Sequence, residues 1–157
     1  MVKEKNYLID TLKKSGIKSQ VYTNMKKLRQ GNEPHVGAVL RNGEIFTRSG
    51  SKRRFVDQEG RQKRRIKLWD RSTSLHVVIA DTSEEKVEEI LETFLRNLKK
   101  GIDVDRSWTN IVVGEADWVE EGDSILKAKV AVQLDITFEG GIYEDRDMKK
   151  MDIGTIG

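Results

Sequence analysis

Residues Leu126–Phe138 read LKAKVAVQLDITF, and this stretch decides the fold. Leu126, Ala128, Val130, Val132, Leu134, Ile136 and Phe138 are all apolar, and of the residues between them only Ala131 is. Successive strand side chains point to opposite faces, so the pattern is a β-strand with one buried and one wetted face. A slip of one residue would turn the whole apolar set to water, which fixes the register. These thirteen residues, at ~3.3 Å each, span ~43 Å, about twice a usual strand. Such a strand either crosses the domain and projects beyond it, or bends at a bulge.

A helix precedes it. Thr82-Ser83-Glu84-Glu85 has the form of a capping box, with Glu85 reaching back to the start of the helix. Val87, Ile90, Leu91, Phe94, Leu95 and Leu98 then recur on one helical stripe, with Lys99, Lys100 and Gly101 at the end. Lys3–Ser15 predicts a second, shorter helix, with Tyr7, Leu8 and Leu12 on its stripe and Gly16 as the stop.

Strands are expected at Ile17–Tyr22, Val36–Leu40, Glu44–Arg48, Arg64–Trp69, Leu75–Ala80 and Trp108–Val113. Leu75–Ala80 is nearly all apolar, which suits a strand covered on both faces. Asn42-Gly43 between two extended runs predicts a hairpin turn. Asn24–Asn32 and Ile102–Ser107 read as loops, and Glu115–Asp123 as an acidic turn around Trp118.

The fold class is therefore α+β: a mainly antiparallel sheet, two helices on one face and a long projecting hairpin or ribbon. One domain is expected over 1–146, with 49–62 as an exposed basic loop or ribbon tip. Residues 147–157 are expected to form a loose tail.

Composition narrows the function. Charged residues make up 35% of the chain and hydrophobic ones 36%, which describes a charged, soluble surface. No apolar run approaches the ~18 residues of a membrane span, and MVKEKNYLIDTLKKSG has no uncharged stretch to serve as a secretory signal. The chain has no cysteine, which removes disulfides and thiolate metal sites and suits a reducing compartment.

The net charge of +3 is unevenly placed: Thr47–Arg71 carries ten Lys/Arg and three acids, a net of +7, which leaves −4 for the rest. A mildly acidic body bears one basic segment.

Catalytic and metal patterns fail on inspection. Gly50-Ser51-Lys52 resembles the end of a phosphate loop, but Ile45 stands where its first glycine belongs. Asp103 and Asp105 open like a calcium loop, but Trp108 occupies the position of the turn glycine and Gly114 that of the bidentate Glu. His35 and His76 lie in no metalloprotease or nucleophile-elbow pattern. Glu115, Asp117, Glu120, Glu121 and Asp123 with Lys127 and Lys129 are loosely spaced like a metal-dependent nuclease hairpin. Ile125 stands where its carboxylate should precede Lys127. No cofactor and no metal is called for.

Three readings of the basic segment stay open. Arg53, Arg54, Arg64, Arg65 and Lys67, with Phe55, suit phosphates, whose neutralisation releases counterions. The same charges suit a solvated ribbon protected against edge aggregation, or an acidic partner, the Glu115–Asp123 turn of a neighbouring subunit with Glu120, Glu121 and Asp123. Trp69, Trp108 and Trp118 are expected mainly as packing residues. Trp69 and Trp118 are the ones to anchor a subunit interface.

Across Leu75–Asp145 the chain resembles the tail-terminator, or tail-completion, proteins of long-tailed bacteriophages and related prophage elements. The resemblance rests on a strand ending in Asp81, the capped helix Thr82–Lys100 and Asn110-Ile111-Val112-Val113. It continues through Ala116–Glu121 and the long strand closing in Phe138-Glu139-Gly140-Gly141-Ile142-Tyr143. It implies a non-enzymatic α+β subunit of a six-membered ring, a homo-oligomer that caps the tail tube, meets the tail-tube protein and docks onto the head connector. The ring would assemble in the host cytoplasm and end in the virion, with DNA passing through its lumen. The rest of the chain fits more loosely, and Ser49–Gln62 is the part that matches least well. The alternatives are a small nucleic-acid-binding module built on residues 47–71 and, behind it, a metal-dependent nuclease.

Overall fold

A computed structural model describes residues 1–120 and 130–148. Among these, three helices and seven strands occur in the order α1 (Val2–Lys14), β1 (Val21–Tyr22), α2 (Met25–Gln30), β2 (Val36–Arg48), β3 (Lys52–Val56), β4 (Gln62–Asp81), α3 (Glu84–Asn97), β5 (Gly101–Val104), β6 (Ser107–Glu120) and β7 (Val130–Asp147). The fold is α+β. One open sheet runs β1-β2-β4-β7-β6-β5, and β3 pairs with β4 beyond the end of β2. Every described pairing is antiparallel except the short β1–β2 contact.

Alternation along the strands builds two cores. Val39, Leu75, Val77, Ile79, Val132, Leu134, Ile136 and Phe138 meet Leu8 and Leu12 of α1 and Val87, Ile90, Leu91 and Phe94 of α3. On the opposite face, Val36, Ala38, Leu40, Val78, Ala80 and Ala131 cluster with Leu28 of α2. Leu75–Ala80 is apolar but for His76 because both faces are covered. Helix α3 starts one residue later than the capping-box reading: Ser83 is the N-cap, and its hydroxyl accepts from the Lys86 amide.

Several sequence expectations need correction. Asn42-Gly43 is a bulge within β2, not a turn: Arg41 pairs with Leu75 and Gly43 with Ser74, leaving Asn42 as the extra residue. The chain reverses instead at Asp57–Arg61, where the Asp57 carboxylate accepts from the Glu59 and Arg61 amides and Gly60 takes φ +80. The two expected strands 64–69 and 75–80 are one strand, β4. Asn24–Asn32 contains α2, capped by the Asn24 side chain accepting from the Lys27 amide.

Ile102–Ser107 holds most of β5 and a two-residue turn, Asp105-Arg106, both at positive φ. Glu115–Glu120 belongs to β6 rather than to a turn, with a register shift between Val113 and Ala116. Strand β7 runs on to Asp147, the first residue of the expected tail, because Glu144–Asp147 pair with Lys63–Ile66. Leu126–Lys129, Glu121, Asp123 and most of the expected tail lie outside the described residues.

One irregularity positions the basic residues. Lys67 pairs with Tyr143 and Trp69 with Ile142, so Leu68 is an extra residue in β4. An extra residue reverses the alternation. Arg65 and Lys67 therefore share a face with Asp70 and Ser72, the face that carries α2 farther along.

Candidate functional site

The sheet has two long edges against which no further strand lies among the described residues. On one side, β1 covers only Gly37 and Ala38 of β2. Outside it, Arg41, Ile45, Phe46 and Arg48 of β2 and Lys52, Arg53, Arg54 and Val56 of β3 are exposed. On the other side, β5 covers only Ser107–Asn110 of β6. The Ile111 amide still donates to the Lys100 carbonyl; from Val112 to Glu120 the outer side of β6 is open among the described residues, with Val112, Val113, Glu115, Asp117 and Trp118 exposed. One edge is basic and the other acidic, and each displays apolar side chains.

The basic residues divide by environment. Arg53 and Arg54 face solvent, and Arg64 is half-buried. Arg65 is only 6% exposed. Its guanidinium forks onto Asp145 at 2.7 and 3.0 Å, and also donates to the Asp105 carbonyl and the Ser107 hydroxyl. The Phe55 and Tyr143 rings lie 5.8 and 5.1 Å from it. The hydrogen bonds from Arg65 hold the Asp145 carboxyl below its ordinary range, and those to Asp145 raise the guanidinium. Arg65 is thus a buried tie between β4, β7 and the β5–β6 turn, not the exposed contact its sequence context suggests. Lys67 is half-buried and pairs with Asp70 at 2.7 Å.

A second tie lies on the β2 side. Arg71 is paired with Glu44, which also accepts from the Thr73 hydroxyl at 2.8 Å, and Arg71 lies over Phe46. The hydrogen bond from Arg71 holds the Glu44 carboxyl low. Trp69 is half-buried beneath the Arg48 guanidinium, 4.5 Å from the ring centroid. That leaves Trp69 a poor interface anchor. Trp118 is 41% exposed on the acidic edge, and Trp108 is 56% exposed, against its expected place in the packing. The side chain of Glu120 is outside the description.

Lys52, Arg53, Arg65 and Lys67 converge with Ser51, Ser107, Trp108 and Tyr143 around a pocket of about 260 Å³. A groove of about 450 Å³ adjoins it, sharing Lys67 and Trp108 and continuing past Ser72, Asn110 and Thr137. The sequence signal for this pocket is the two-residue turn before Ser107, which swings Trp108 toward the ribbon, together with the Leu68 bulge. Neither shows in hydrophobic periodicity.

No family model matches this chain, and no curated protein matches it in sequence.

Each histidine is paired with a carboxylate. His35 Nδ1 lies 2.8 Å from Asp81, while its Nε2 accepts from the Lys18 amide at 3.1 Å. Both ring nitrogens are thereby occupied. Burial pushes the Asp81 carboxyl up, but its bonds from His35 and the Thr82 amide outweigh this, and the net shift is downward. His76 Nδ1 meets Asp135 on the α2 face of the sheet. Among the described residues no group of three His, Asp or Glu converges as a metal site would require. Glu115 and Asp117 lie on an exposed strand, without the desolvated cleft that acid–base chemistry uses.

Proposed function

We propose that this protein is a structural subunit that works by contacts, of the tail-terminator kind that its sequence resembles. Copies join head to tail, the basic β2–β3 edge of one against the acidic β6 edge of the next. A contact between two different surfaces repeats until it closes, and it gives a ring when the rotation allows. The observation that carries this reading is the pair of open edges of opposite charge at the two ends of one sheet. Open edges are ordinarily blunted because their unpaired N–H and C=O groups recruit other strands. Here apolar side chains, Ile45, Phe46 and Val56 on one edge and Val112, Val113 and Trp118 on the other, accompany the unpaired backbone.

The charges steer the encounter and set the register, and the apolar and aromatic area supplies cohesion. On this reading the ring caps a tail tube, meets the tail-tube and head-connector proteins on its two faces, and passes DNA through its lumen. It assembles in the host cytoplasm and is carried into the virion.

Sedimentation of the purified chain tests the edges. Arg41→Glu with Arg54→Glu should weaken self-association at least tenfold, about 1.4 kcal/mol. Glu115→Lys with Asp117→Lys should partly restore it when added to that variant. A wild-type chain that stays monomeric at its solubility limit, alone and with tail-tube protein, would overturn the proposal. A second reading, a nucleic-acid-binding module, is favoured by the cationic pocket beside Trp108.

A further inference from the structure

We infer that the pocket between the β3–β4 ribbon and the start of β6 binds a nucleotide unit, its phosphate on Lys52 and Arg53 and its base on the Trp108 ring. The inference stands on the pocket's own chemistry and does not need the ring.

Its walls carry four cations and no acid. Two of the cations are committed, Arg65 to Asp145 and Lys67 to Asp70. Lys52 and Arg53 make no ion pair among the described residues, so their charge is available to an anion. The hydroxyls of Ser51 and Ser107 stand beside them.

Trp108 is a fixed surface. Its indole packs against Gly101, where an added Cβ would come within 2.5 Å of the ring, and its Nε1 donates to Asn110 at 2.8 Å. The ring nevertheless stays more than half exposed, and holding an indole rigid beside free cations is how single-stranded nucleic acid is bound: phosphates track the charge and a base stacks. Tyr143 cannot serve in its place, because Arg65 and Lys67 already lie over it.

Free nucleotides and single strands share this chemistry. The adjoining groove offers Thr47, Ser72, Asn110 and Thr137 as hydrogen-bonding groups to a strand that continues along it, with Lys67 and Arg71 set against the carboxylates of Asp70 and Glu139. A base paired inside a duplex cannot reach the indole.

Tryptophan fluorescence is titrated with a short oligothymidylate, thymidine monophosphate, inorganic phosphate and a duplex, using Trp108→Phe to isolate the signal. A labelled strand followed by anisotropy gives affinities, and sedimentation monitors self-association in the same samples. The expected result is saturable quenching that Trp108→Phe abolishes, with strand affinity falling at a log–log salt slope of about −1.4 for two phosphate contacts. Lys52→Glu with Arg53→Glu should lower affinity at least tenfold without changing the melting temperature. Tighter binding of the strand than of the monophosphate identifies the strand as the source of the unit, and equal binding identifies a free nucleotide. Absence of quenching, equal binding of inorganic phosphate or duplex, or affinity unchanged in the double Glu variant would overturn the inference.

Discussion

Arg65 illustrates how one buried charge organises a region. Its fork to Asp145 ties β4 to β7, and its remaining donors hold the Asp105-Arg106 turn. Arg65→Met should lower stability by about 2–3 kcal/mol in urea unfolding, near the low end for breaking a buried pair because Asp145 keeps some contact with water. Arg65→Lys should recover only part, since an ammonium cannot form the fork. The pair also makes a pH prediction. Asp145 titrates lower in the folded chain than in the unfolded one, so its contribution is full above the unfolded value near ~4 and is lost as pH falls through the folded value. The stability gap between wild type and Arg65→Met should therefore narrow as pH falls below about 4, leaving the part due to the Asp105 carbonyl and Ser107 bonds. Gly101 gives a second test: Gly101→Ala presses a methyl group against both the Thr109 carbonyl oxygen and the Trp108 ring and should cost about 1–3 kcal/mol. Its near-ultraviolet dichroism should change if the indole moves.

The elements differ in how plainly the sequence shows them. Helix α3 and the apolar half of β7 are legible because one face of each enters the core, and periodicity reports burial. Val132→Asp should abolish cooperative melting, since it would strand a carboxylate opposite Ile79 with no partner. Phe94→Ala should cost about 3–5 kcal/mol, measured by denaturant unfolding. Helix α2 was hidden because six residues with one buried side chain, Leu28, leave no stripe to read. The first half of β4 and the second half of β7 show less plainly, for another reason. Their contacts are ion pairs and cation–aromatic stacks, such as Arg65 with Asp145 and Tyr143, and these leave no alternation of apolar and polar residues. Asn42-Gly43 misleads because the same positive-φ tolerance that serves a hairpin also serves a bulge.

At the scale of the molecule, the charge division seen in the sequence becomes a geometric one. The basic segment contributes β3 and the beginning of β4, and the acids Glu115 and Asp117 lie on β6, so the two signs occupy opposite edges of one sheet. Sequence alone placed the charges but not the edges, since edges depend on strand order. If the edges meet between copies, the rate of self-association should fall as salt rises, while the dissociation rate changes less. Stopped-flow light scattering across a salt series measures this, and a salt-independent association rate would argue against charge-steered pairing.

Strand β7 stands between β4 and β6, and the backbone of the β5–β6 pair joins the rest of the sheet through it. A ribosome releases β7 after every other described strand. Until then β2 and β4 can pair locally, but the acidic edge has nothing to be the edge of. If the edges join copies as proposed, the nascent chain holds one of the two surfaces in abeyance until β7 has been made. Chains cut short before Val130 should be unable to add to an assembly from the β6 side, so that incomplete copies exclude themselves. Mixing such a fragment with full-length protein and measuring its incorporation by pull-down would check this.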